Sequence, residues 1–439
     1  MADAWFDELA EFLRIPSISA DPAHAPDVRA AAEWVCDLIR GAGGEAALED
    51  WDGQPLAVGE IRASGGGAAP TVLCYGHVDV QPPDPLERWE SPPFEPELRD
   101  GYLYARGAVD DKGQLYMLLA AARELARAGE LPVNVRFACD GEEETGGHSI
   151  VEFLAADERG ADAAVIFDSG MVRPGVPSFD VATRGLVYFH LTVRTGARDL
   201  HSGVYGGAAL NAAHALVAAL AGLLPRAGRL PEPLRRGLVP PTEEELAGWR
   251  ALPAGAEELA LQGARPADPR AAEEFYLRTF AEPALDVNGL DTGSPYLQKT
   301  VIPVEAAANL SVRLAPGQRP DEVAAEVERL LRAAAPEGAE VELERLSSSP
   351  PGLVPPAARA IELGRDAFER VLGRRPLLVR SGGTLPIVPA FADRGIPVIL
   401  TGFGLPDSQV HAPNERLTAE YVPLGIAAAR ALFRELAAI

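Results

Sequence analysis

The sequence predicts an α/β fold interrupted by an inserted α+β block, and two observations carry that reading. Apolar runs at 72–75, 133–139 and 163–167 alternate with Ala- and Leu-rich helical stretches, the pattern of a layered α/β sheet. After Arg184-Gly185 the style changes: residues 186–193 alternate apolar and polar with period two, which suits a sheet with one exposed face.

The elements follow in chain order. Residues 1–40 read as helix, with Trp5, Phe6, Leu9, Phe12 and Leu13 at helical spacing. Ile15-Pro-Ser breaks that run, and a second amphipathic helix covers 30–39 and ends at Gly41. A helix is expected over 114–128. In the changed block, the strand at 186–193 precedes a helix at 208–224 and a Pro- and Glu-rich stretch at 225–295 without clear periodicity. A strand at 306–314, a helix at 321–335 and a strand at 339–346 complete a β-α-β-α-β unit. The α/β style then returns in a helix at 355–372, a strand at 398–400 and a helix at 421–436. Residues 1–184 and 348–439 therefore read as one domain, with 185–347 inserted in it.

Bulk properties narrow the function classes. A chain of 439 residues is long for one ordinary core and suggests two domains. A net charge of −24 leaves no basic footprint for nucleic acid. No run approaches the ~18 apolar residues of a membrane span, and Met1–Ala10 lacks the basic and apolar regions of a signal peptide. The three cysteines, Cys36, Cys74 and Cys139, are odd in number and read as buried thiols of a reducing compartment. A cytoplasmic setting is the expectation. Lysine occurs only at Lys112 and Lys299, and each adjoins a motif below.

Carboxylates and imidazoles recur where apolar strands end. His77 and Asp79, two apart on a strand, face one side of it. At a carboxyl end they face the crevice where α/β sheets bind ligands. His77 then suits metal ligation through one ring nitrogen, with Asp79 orienting the ring from behind; the alternative is a surface loop pair. Asp110 and Asp111 open the helix at 114–128. Asp110 is the candidate carboxylate shared by two cations, and Asp111 the candidate N-cap. Of Glu142, Glu143 and Glu144, one can bind metal while a neighbour abstracts a proton from water, and spacing alone leaves the choice open. Asp168 ends the apolar run at 163–167, and His411 follows the turn Gly404-Leu-Pro-Asp. Two histidines with carboxylates suit zinc, with manganese or cobalt as further candidates.

Gly76-His-Val-Asp79, Gly107-Ala-Val-Asp-Asp-Lys-Gly113, Glu143-Glu-Thr-Gly146, Arg198-Asp-Leu-His-Ser-Gly203 and His411-Ala-Pro-Asn-Glu415, in this order, resemble the carnosinase, aminoacylase and desuccinylase family of co-catalytic metallopeptidases. The resemblance runs from about residue 5 to 436, and the segment from Arg198 to Gly207 is similar to the carnosinase-like dipeptidase branch. It implies a catalytic α/β/α domain with a mixed sheet and an inserted α+β lid and dimerisation domain. It implies two divalent metal ions per subunit: His77 and Asp168 on one, Glu144 and His411 on the other, and Asp110 between them before a cis peptide bond. Glu143 becomes the general base, leaving Glu142 outside.

The resemblance further implies a homodimer in which His201 and Thr300 act across the interface. Arg313 would grip a substrate carboxylate, as a guanidinium fork can. Thr384 in Gly382-Gly-Thr-Leu-Pro386 replaces a serine of the relatives, and its extra methyl bears on substrate size. His24, His148, His190 and His214 match nothing in the family. The implied activity is hydrolysis of dipeptides or short peptides with a free carboxylate, without nucleic-acid or membrane partners. The alternative is an N-acyl-amino-acid deacylase built on the same centre.

Overall fold

A computed structural model describes residues 4–66 and 68–439. The helix expected over residues 1–3 lies outside the described residues. The chain divides into two compact units: residues 1–181, 354–379 and 386–439 form the first, and 182–353 with 380–385 the second.

The first unit is built on a mixed sheet. Four strands at its centre, Asn134–Asp140, Thr71–His77, Ala163–Gly170 and Val398–Gly404, lie side by side in parallel. Leu56–Ile61 and Glu45–Glu49 extend it antiparallel on one side. Parallel strands are covered on both faces, so their residues are apolar throughout rather than alternating; Thr71–His77 is buried at every position after the first. Helices Lys112–Ala128, Arg359–Leu372 and Tyr421–Glu435 pack with it, and Phe167, Phe179, Phe368 and Phe403 interlock in the core. Cys36, Cys74 and Cys139 are free and buried.

Several boundaries differ from the sequence reading, for identifiable reasons. The second helix begins earlier, at Ala25, because Pro26 occupies its first turn, where proline's fixed φ favours a helix start. The strand holding Asp168 does not stop before it but continues to Gly170, pairing with Val398–Gly404 through a local register shift. Asp111 does occupy the N-cap position of Lys112–Ala128, yet its side chain caps nothing there. Its Oδ2 instead accepts the backbone N–H of His77 at 3.1 Å. Gly76 makes room for this, since a Cβ there would stand 2.7 Å from that oxygen.

The second unit has a four-stranded antiparallel sheet in the order Ala284–Asp291, Glu305–Leu314, Gly185–Arg194, Glu340–Ser349. Val187, Phe189, Leu191 and Val193 face one way with Leu310, Val312 and Leu314, and helices Ala212–Ala221 and Pro320–Ala334 contribute Ala215, Leu216, Ala219, Val323, Val327 and Leu331 to the same core. The helix expected over 208–224 is shorter because Asn211 caps it, accepting from the N–H groups of Ala213 and His214. The stretch 225–295 is more ordered than its sequence suggested. Thr242 and Glu245 form a capping box that starts Glu243–Trp249, and Ala284–Asp291 is a strand whose single buried residue, Leu285, left no alternation to detect.

Leu310 sits at the centre of this core with no exposed surface. Leu310→Ala is expected to cost about 2–5 kcal/mol, read as a lowered denaturation midpoint; a shift below about 1 kcal/mol would mean the site collapses around the smaller side chain.

Candidate metal centre

The four parallel strands deliver their carboxyl ends to one place, the position where open α/β sheets hold ligands. His77 is the last residue of its strand, Asp140 the last of the next, Asp168 stands near the end of the third, and His411 follows the fourth by a loop. Two groups of side chains there lie close enough for each to share a cation: His77 with Asp110 and Asp168, and Asp110 with Glu144 and His411.

Asp110 belongs to both groups and divides its oxygens between them. Oδ1 is 3.0 Å from Nε2 of His77, and Oδ2 is 2.9 Å from Nε2 of His411. Nε2 of His77 is 3.9 Å from Oδ1 of Asp168, and Nε2 of His411 is 3.2 Å from Oε2 of Glu144. The Asp110–Asp111 peptide bond is cis. His411 holds a left-handed backbone conformation at φ 59°, which costs a non-glycine residue about 1–2 kcal/mol.

A second layer holds these groups. Asp79 is fully buried. Its carboxylate accepts the N–H groups of Glu143 at 3.2 Å and Glu144 at 3.1 Å, and lies 3.3 Å from Nδ1 of His77. That Nδ1 also lies 3.1 Å from the carbonyl oxygen of Asp79, so Nε2 is the nitrogen left to face Asp110. Asp79 thus sets both the His77 ring and the Glu143-Glu144 turn. Gln81 donates to Oε2 of Glu144 at 2.8 Å. Glu142 turns away and braces the fold, accepting from the N–H of Gln54 and from both the N–H and hydroxyl of Ser149.

Sequence reasoning assigned no role to Glu415 or Gln114. Glu415 is fully buried, and its two oxygens accept the N–H groups of Gly107, Val109 and Asp110 together with the Arg106 guanidinium at 2.7 Å. It clamps the loop that aims Asp110. Gln114 donates to the carbonyls of Val109 and Ser169 and accepts from Phe403 N–H, joining the ends of three elements. Glu415 did stand in a quoted motif, but nothing local shows that its partners lie some 300 residues earlier.

Charge defines the site's chemistry. Burial pushes the carboxyl groups of Asp168 and Asp111 well above the usual range. It pushes Glu143 up to about 7, with Glu144 and Asp110 adding to the effect. Burial opposes charging His77, yet its hydrogen bonds to Asp110 and Asp79 prevail and push its proton affinity well above that of an ordinary imidazole. The hydrogen bond to Asp110 and the one to Glu144 raise His411 to about 10. Four carboxylates, Asp110, Glu143, Glu144 and Asp168, thus face two imidazoles in a desolvated setting. Imidazole and carboxylate donors with one shared carboxylate fit a pair of divalent cations, which would neutralise that excess.

In the second unit, Arg313 donates to the Thr384 hydroxyl at 2.9 Å, so these two residues stand together. His201 and Thr300 are exposed, and strand Leu200–His201 pairs with Val301–Ile302 beside Thr300. Nδ1 of His201 accepts Gly203 N–H, so Nε2 is the ring nitrogen outside that bond. His190 bonds Asn309 and His24 bonds Asp27.

Comparison with known proteins places this geometry. The family model for peptidase family M20/M25/M40 matches residues 73–435. A human Beta-Ala-His dipeptidase is 30% identical over 410 residues, covering 88% of this chain and 79% of that protein. A cysteinylglycine-S-conjugate dipeptidase of Corynebacterium striatum is 29% identical over 423 residues, covering 93% and 90%. Among solved structures, an M20 family metallo-carboxypeptidase from Sulfolobus solfataricus superposes with a TM-score of 0.85 at 26% identity over 100% of both chains. Human carnosine dipeptidase 1 gives 0.74 at 26% identity, covering 99% and 96%. The strand-end cluster of acids and imidazoles and the match along most of the sequence agree: the chain belongs to peptidase family M20/M25/M40.

Proposed function

We propose that this protein is a dinuclear metallopeptidase that hydrolyses dipeptides or short peptides with a free C-terminal carboxylate. The observation that carries the reading is Asp110, whose two oxygens face different imidazoles. His77 and Asp168 would hold one cation, Glu144 and His411 the other, and Asp110 both; zinc suits this donor set, with manganese or cobalt as alternatives. Such a pair polarises a carbonyl and makes water a nucleophile at neutral pH.

Glu143 takes the proton from the attacking water and returns it to the departing amine. Burial, which raises its affinity for a proton, suits that exchange. Arg313, steadied by Thr384, pairs with the substrate carboxylate. His201 and Thr300 act across a homodimer, with the inserted unit serving as lid and dimerisation domain. Exposed apolar side chains in that unit, Val204, Val217, Leu290 and Leu297, support such an interface. Among the described residues no helix is long and apolar enough to cross a membrane, and the buried free thiols favour a cytoplasmic setting. Deacylation of N-acyl amino acids is the second reading, less favoured because the relatives compared above are peptidases.

Three measurements test the proposal. Glu143→Ala is expected to lower kcat/KM on dipeptides by about 100- to 10,000-fold with metal content unchanged; retention of most activity would remove Glu143 as the base. Glu415→Gln loosens the Asp110 clamp without touching a ligand oxygen. Its metal affinity, followed by titration of the stripped protein, should fall about 10- to 100-fold, and an unchanged affinity would make Glu415 a packing residue only. Val217→Glu with Leu290→Glu should convert a dimer to monomers and abolish most activity. A fully active monomer would end the role of His201 across the interface.

A further inference from the structure

Beside Asp110 and Asp168 the first unit has a cleft of about 380 Å³ that the mechanism above does not use. Its walls are largely apolar, with Val109, Met171, Val172, Leu405, Pro406 and Val410 among them. Apart from the two metal-site aspartates, its one charged residue is Asp180. Asp180 is 7% exposed. One of its oxygens accepts the Ser169 hydroxyl at 2.6 Å. No ion pair is found for it among the described residues, and burial raises its carboxyl group to about 6 with no neighbouring charge to oppose the rise.

A buried carboxylate with one hydrogen bond and no cation is costly unless something pairs with it. Among the other buried acids of this unit, Glu415 has four donors and Asp79 two backbone amides, while Asp111 and Asp140 accept one backbone amide each; of the three singly bonded acids, Asp111, Asp140 and Asp180, Asp180 is the one that lines the cleft. Asp180 opens onto an apolar-walled cleft that borders the metal site, where a substrate would lie. Aliphatic walls with one acid among them match a group that is apolar along its stem and cationic at its tip.

We propose that this cleft is a substrate subsite in which Asp180 receives an alkylammonium group, so that the enzyme favours substrates carrying such a cation next to the scissile bond. The inference rests on the peptidase reading above and specifies its substrate class. Both an α-amino group and a lysine-type side chain carry this chemistry, and the experiment separates them.

Four substrates are compared on wild-type enzyme and on Asp180→Asn, which keeps an acceptor for Ser169: lysyl-glycine, norleucyl-glycine, leucyl-glycine and 4-methylpentanoyl-glycine. The first pair differs only in a side-chain cation, the second only in the α-amine. The expected result, within one pair, is a loss of about 30-fold or more in kcat/KM for the member carrying the tested cation, with the member lacking it changed less than about threefold; when that cation is the α-amine, lysyl- and norleucyl-glycine fall together. The pair that responds identifies the cation. Pro406→Lys, at the exposed rim of the cleft, should weaken the same substrate selectively by placing a like charge beside it. Equal effects within both pairs, or none, would overturn the proposal.

A calorimetric titration with n-pentylammonium, against n-pentanol as control, reads the subsite without turnover. Binding to wild type that Asp180→Asn loses supports the subsite even if no peptide is cleaved, in which case only the peptidase reading fails. Absence of binding together with unselective kinetics rejects the subsite and leaves the peptidase reading standing. Thermal unfolding of Asp180→Asn within a few degrees of wild type excludes a folding defect as the cause.

Discussion

Negative charge gathered away from water is the constraint on which the rest of the first unit depends. Asp110, Glu143, Glu144 and Asp168 meet near the ends of parallel strands, with His77 and His411 beside them to offset their charge. Like charges in a poorly solvated site repel strongly, and either protons or cations must compensate. Much of the surrounding architecture can be understood as holding this arrangement against that repulsion. The cross-links made by Gln114 and the Glu415 clamp fix the loop bearing Asp110 and the strand end bearing Asp168, and Asp79 fixes the turn bearing Glu143 and Glu144.

The same acids also divide the work by what surrounds them. A carboxylate that receives backbone amides is a fixed strut: Asp79, Glu142 and Glu415 each accept two or more donors. A carboxylate that faces imidazoles keeps lone pairs for a cation, as Asp110 does. Three consecutive glutamates of one chemical type therefore separate into a brace (Glu142), a free acid beside the centre (Glu143) and a group turned to His411 (Glu144). Backbone direction after Asp140, and not residue type, makes the distinction.

That distinction marks how far the residues could be read without a fold. Strand periodicity and the habit of α/β sheets to place ligands at carboxyl ends were enough to anticipate that His77, Asp110, Asp168 and His411 converge. The choice among the glutamates came only from resemblance, because spacing does not encode which way a short 3₁₀ turn faces. Asp111 shows a local rule losing to a tertiary one: its position suits a helix cap, but the His77 N–H offered its carboxylate a better partner. Glu415 and Gln114 were unreadable for a related reason, since their partners are backbone groups far away in sequence. In the second unit, strand Ala284–Asp291 escaped detection because an edge strand with a single buried side chain carries no period.

Asp180 shares a single donor with Asp111 and Asp140, in that each accepts one hydrogen bond, but it alone of the three lines the cleft beside Asp110 and Asp168. It is neither a strut, having one hydroxyl donor, nor a member of the cation-binding groups. Were it only structural, a threonine or asparagine would satisfy Ser169 without the desolvation cost of a carboxylate, which burial makes considerable. The proposed subsite gives this carboxylate its partner in a charge supplied from outside the chain. Asp110 and Asp168 line the same cleft. An incoming cation there also lessens the negative excess of the whole centre, so recognition of such a substrate and stabilisation of the acids draw on one electrostatic field.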